Sequence, residues 1–91
     1  MKSDNGKQPG WELVLEAKIE SNLAVWEVDN AKRFKAKGSP KEYKEAMSRA
    51  KKHFDRSFEC QQTLEAFSDE ALEAVHRASA AIHDAERGEL T

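Results

Sequence analysis

Helix-breaking residues occupy only the ends of this chain and one internal point. Between Gly10 and Gly38 there is no glycine or proline, and after Pro40 there is neither until Gly88. The two uninterrupted stretches, 11–37 and 40–87, are rich in Ala, Glu, Lys, Leu and Arg, which lose little on entering a helix. Neither stretch alternates polar and apolar residues as a half-buried strand does. The expectation is an all-α fold, either an antiparallel helical hairpin or a three-helix bundle, completed by homodimerisation. A single helical domain is expected over 10–91, after a disordered N-terminal tail at 1–9 that is polar and has nothing to bury.

The internal interruption, Gly38-Ser39-Pro40, reads as a turn between two antiparallel helices. Gly38 can adopt the left-handed conformation that closes a helix. Ser39 and Glu42 have the spacing of a capping box, and Pro40 stands where its missing N–H costs nothing. Lys32, Arg33, Lys35 and Lys37 suit the C-terminal end of the first helix dipole. If unbroken, the stretch after Pro40 would reach about 70 Å at ~1.5 Å per residue. A break is expected near Phe67-Ser68-Asp69-Glu70, with Ser68 as N-cap and two acids in the following turn. The helices are then about 11–37, 40–67 and 69–87. Against a break, apolar residues run on in nearly the same phase from Tyr43 to Ile82.

A helical wheel of the first helix carries two apolar stripes. Leu15, Ile19, Leu23, Trp26 and Phe34 form the bulkier one, expected to lie in the core. Leu13, Ala17, Ala24, Val28 and Ala31 form a weaker one, whose small residues allow close helix approach and suggest a subunit contact. Glu12, Glu16, Glu20 and Glu27 lie between the stripes. With some twenty large apolar side chains in 91 residues, a monomer is expected to be marginal and a homo-oligomer is expected.

The net charge is −2, but residues 32–56 carry +7, against −3 before them and −6 after. The cations Lys35, Lys37, Lys41, Lys44, Arg49, Lys51, Lys52 and Arg56 are the candidate partner-binding residues, suited to an acidic protein surface. The same end could meet a nucleic-acid backbone through salt-sensitive contacts. The net negative charge and the few aromatics beside the cations do not favour this. Basic and acidic ends could also pair between copies.

Signals for chemistry are sparse. Glu73-Ala-Val-His76 matches the Glu-x-x-His half-motif of carboxylate-bridged bundles, with His83 and Glu86 beyond it. Only one copy exists, so a metal site would need a ferritin-like dimer. His53 and Cys60 stand too far apart along a helix for a Cys–His pair, and Cys60 reads as a small buried hydrophobe. No phosphate loop, zinc-type cysteine spacing or triad-like arrangement is present. A lone cysteine, no apolar run of membrane-spanning length and no signal-peptide pattern lead to the expectation of a cytoplasmic protein without disulfide, membrane span or cofactor. The expected function is non-enzymatic: a regulator, adaptor or inhibitor that binds another protein through its basic hairpin end. The alternatives are nucleic-acid association, an acidic nucleic-acid mimic using the glutamates of the first helix, and a metal-binding dimer using Glu73 and His76.

Overall fold

The computed structural model describes residues 9–64 and 68–90, and the described residues form three helices with no strand among them. Helix α1 runs Pro9–Ala36, α2 Pro40–Thr63 and α3 Asp69–Leu90. They pack on one another as a three-helix bundle, with α1 touching both α2 and α3. The bundle is rod-like, 53 Å in its longest dimension. The tail expected over 1–9 lies outside the described residues, except for Pro9, which opens α1.

The α1–α2 turn is closed by backbone hydrogen bonds. The Ser39 N–H donates to the Phe34 carbonyl at 2.9 Å and the Gly38 N–H to the Lys35 carbonyl at 3.1 Å. This is the Schellman pairing, and it needs a left-handed residue at Gly38, whose φ is +77°. The capping box does not form. Ser39 makes no side-chain cap hydrogen bond, and its carbonyl instead accepts the Tyr43 N–H at 3.0 Å. The glycine closure and Pro40 are therefore enough to start α2. A Cβ added at Gly38 would meet nothing within 4 Å, so only backbone strain opposes a substitution. Gly38→Ala is expected to cost about 1–2 kcal/mol. Thermal unfolding followed by circular dichroism should show Tm lowered by about 5–10 °C for a chain of this size. An unchanged Tm would mean that the turn relaxes freely.

Helix α2 ends at Thr63, four residues before the expected end at 67, because Leu64 is extended. Residues 65–67, including Phe67, lie outside the described residues. Ser68 caps α3: its Oγ accepts the Ala71 N–H at 3.2 Å, with Asp69 and Glu70 in the first turn.

The stripes of α1 are used the other way round from the expectation. Ala17, Ala24, Val28 and Ala31 are buried inside the chain, together with Ser21. Leu15, Ile19, Leu23 and Trp26 of the bulkier stripe face outward, and only Phe34 packs against the core. The reason lies in the neighbouring helices. Their buried faces are also made largely of small residues: Ala46, Ala50, Ser57 and Cys60 on α2, and Ala71, Ala74, Ala78 and Ala85 on α3. Small faces let helix axes approach closely, and bulky side chains between them would prop the axes apart.

The core lies in two parts. One, toward the turn, joins Val28, Ala31, Tyr43, Ala46, Met47, Ala50, Ile82 and Ala85. The other, toward the far end, joins Ala17, Cys60 and Ala71, with Leu13, Val14 and Leu64 beside them. Between them a buried hydroxyl pair links α1 to α2. Ser57 Oγ donates to the Ala17 carbonyl at 2.9 Å and must therefore accept from Ser21 Oγ, 2.5 Å away.

Candidate functional site

The eight cations expected at the partner-binding end fall into two groups. Arg49, Lys51 and Arg56, each about half exposed, pair with carboxylates of the neighbouring helices. Arg49 Nε donates to Glu27 Oε2 at 3.0 Å, Lys51 Nζ pairs with Glu86, and Arg56 lies 3.9 Å from Glu20. These three side chains link α2 to its neighbours. Lys35 lies over the Tyr43 ring, 5.7 Å from its centroid. Lys37 is exposed beside the turn. Lys41, Lys44 and Lys52 are exposed on the outer side of α2 and form no ion pair among the described residues. Helical spacing aligns these three along the face that looks away from α1 and α3. The same outward face also carries the exposed acids Glu45, Asp55 and Glu59.

The glutamate series on α1 is split. Glu12 and Glu16 are exposed, but Glu20 and Glu27 turn in toward α2. Glu20 Oε1 lies 2.6 Å from His53 Nδ1. Glu27 is only 6% exposed, and its Oε1 has no hydrogen-bond partner. The four acids do not make the continuous solvated line that a phosphate-backbone mimic would need.

The metal-like half-motif also faces solvent. Glu73, His76 and His83 are exposed, and Glu73 sits 4.0 Å from Arg77. No group of three His, Cys, Asp or Glu side chains that could hold a metal ion occurs among the described residues. Cys60 is buried, and burial together with the neighbouring Glu16 carboxylate pushes its thiol up, so little thiolate forms. The depressions between helices are shallow. One, of about 290 Å³ between α2 and α3, is lined by Phe54, Asp55, Ser79, Ile82, His83 and Glu86.

The feature that sequence reasoning misplaced is the outward face of α1. Trp11, Leu15, Ile19, Leu23 and Trp26 are between 37% and 58% exposed. The periodicity of Leu15, Ile19, Leu23 and Trp26 was visible, with Trp11 read as lying outside that stripe, but periodicity does not say which of two opposed stripes is buried. The alanine faces of the two later helices carried that signal.

No helix among the described residues is long and apolar enough to cross a membrane. Compared with known proteins, the chain matches no family model, no curated protein and no solved structure.

Proposed function

We propose that this chain is a non-enzymatic binding protein that docks an acidic surface of another protein through the outer side of α2. The observation that carries the reading is the separation of the cations. Arg49, Lys51 and Arg56 are paired with carboxylates of α1 and α3, whereas Lys41, Lys44 and Lys52 have no counter-ion among the described residues. A rigid helix presenting three aligned ammonium groups gives an orientation-specific, salt-sensitive contact. With Lys37 beside the turn, the same surface reaches the end of the rod. A regulator or inhibitor of this kind acts by covering part of a larger partner. Cytoplasmic location and the absence of a cofactor belong to this reading.

The test uses a polyglutamate peptide and a DNA duplex of equal charge as probes, at about 50 and 200 mM salt. The peptide should bind at low salt, and the Lys41→Glu, Lys44→Glu, Lys52→Glu triple variant should lose that binding while keeping its helical circular dichroism. Unchanged peptide binding by the variant removes the proposal. Tighter binding to the duplex, with a steep salt slope, would replace it with the nucleic-acid reading.

A further inference from the structure

We propose that the outward face of α1 is the interface of an antiparallel homodimer, in which Trp11, Leu15, Ile19, Leu23 and Trp26 of two copies close on one another. This inference is independent of the cationic side of α2. Its first support is the distribution of side-chain size. Among the described residues, nine of the fifteen buried apolar residues are alanine, and the largest side chains that are fully buried are Val28, Ser21 and Ser57. The chain thus forms most of its interior from alanine, with Val28, Tyr43, Met47, Val75 and Ile82 as the larger members, and leaves both tryptophans, two leucines and an isoleucine between 37% and 58% exposed. Each large side chain contributes about 1.5–3 kcal/mol when buried, so the larger apolar gain is still unrealised in a single copy.

The second support is area. From typical side-chain sizes, the five residues leave on the order of 500 Å² exposed per copy, toward the top of the range for the largest patch on a monomer. Two such faces together remove about 1,000 Å², where specific interfaces begin. Glu12, Glu16, Lys18 and Asn22 border the stripe and are exposed, supplying a polar rim.

The third support is the order of the residues. Read in either direction, the stripe runs aromatic, aliphatic, aliphatic, aliphatic, aromatic, with spacings of four, four, four and three. A twofold axis at Ile19 sets Ile19 against its own copy, Leu15 against Leu23, and Trp11 against Trp26, as an isologous contact requires. Charge selects the same direction. Arg33 lies on this face two turns beyond Trp26 and is exposed, with Lys32, Lys35 and Lys37 close by. A parallel pair would bring these clusters together. The antiparallel pair holds them at opposite ends and opposes the two helix dipoles.

Sedimentation equilibrium across the micromolar range should give twice the 10.3 kDa chain mass. Both tryptophans lie on the interface, so their emission should shift to the blue as dimer forms. Trp26→Glu should yield a monomer of unchanged helicity. Should that variant lose its helices, disulfide trapping in a Cys60→Ala background decides. Ile19→Cys should cross-link to itself, and Leu15→Cys should cross-link to Leu23→Cys when the two are mixed, both well above a Ser48→Cys control. The Lys41→Glu, Lys44→Glu, Lys52→Glu protein should dimerise as the parent does, which separates failure of this proposal from failure of the cationic one. A chain that stays monomeric throughout the range overturns the inference. So do self-linking of Leu15→Cys in place of the mixed link, and a monomer that instead partitions onto phosphatidylcholine–phosphatidylglycerol vesicles.

Discussion

Ala50→Leu should be among the most damaging single substitutions in this protein, lowering stability by about 3 kcal/mol or somewhat more, at or beyond the upper end for an overpacked core. Ala50 is fully buried in the cluster that joins Val28, Ala46 and Met47. Three added carbon atoms have no room there, because the cluster around Ala50 is close-packed and its other members include Tyr43 and Ile82. The α1–α2 approach must widen, and the loss of contact spreads along the helix pair. Native stabilities run at about 0.05–0.15 kcal/mol per residue, so a chain of this size has on the order of 5–14 kcal/mol in total. The expected loss is a large share of that. Urea denaturation followed by circular dichroism measures it as a lowered midpoint. Ala80, exposed on α3, is the comparison: Ala80→Leu should stay within about 0.5 kcal/mol of the parent. Equal effects at the two positions would contradict an interior set by close helix approach.

Arg49→Ala is the second large effect, and it bears on how the cations are read. Glu27 is buried, with one carboxylate oxygen bonded to Arg49 at 3.0 Å and the other without a hydrogen-bond partner. Breaking a buried pair from one side costs about 3–5 kcal/mol because a charge is left uncompensated. The Arg49 side chain is about half exposed, so water can partly replace it, and the expected loss is about 2–3 kcal/mol. Adding Glu27→Gln to Arg49→Ala should restore much of the stability, since the stranded charge is then gone. A double-mutant cycle from denaturation midpoints reads the coupling directly. A loss below about 0.5 kcal/mol would return Arg49 to the set available for docking.

Local chemistry made the helical elements legible. Gly38 and Pro40 marked the turn, and Ser68 marked the start of α3, because each acts through its own backbone or a neighbour three residues away. What depends on other helices was harder to read. The two stripes of α1 look alike to a wheel, and size alone favoured burying the bulkier one. The choice followed Ala46, Ala50, Ala71, Ala74, Ala78 and Ala85, which let the small stripe of α1 approach closely. Likewise Lys41 and Arg49 look equivalent in a run of cations. They diverge because only Arg49 lies opposite an inward glutamate of α1. The early end of α2 at Thr63 had no local signal, since Leu64 continues the apolar phase while its backbone is extended.

The position of the turn relative to α1 carries a consequence for recognition at a distance. Gly38 lies nineteen residues beyond Ile19. Two copies joined about Ile19 would therefore hold their turns roughly 55 Å apart, at ~1.5 Å per helical residue. Such an assembly works as a ruler with a grip at each tip. One isolated acidic patch engages a single grip, but a target with two patches at that separation gains avidity through effective concentration.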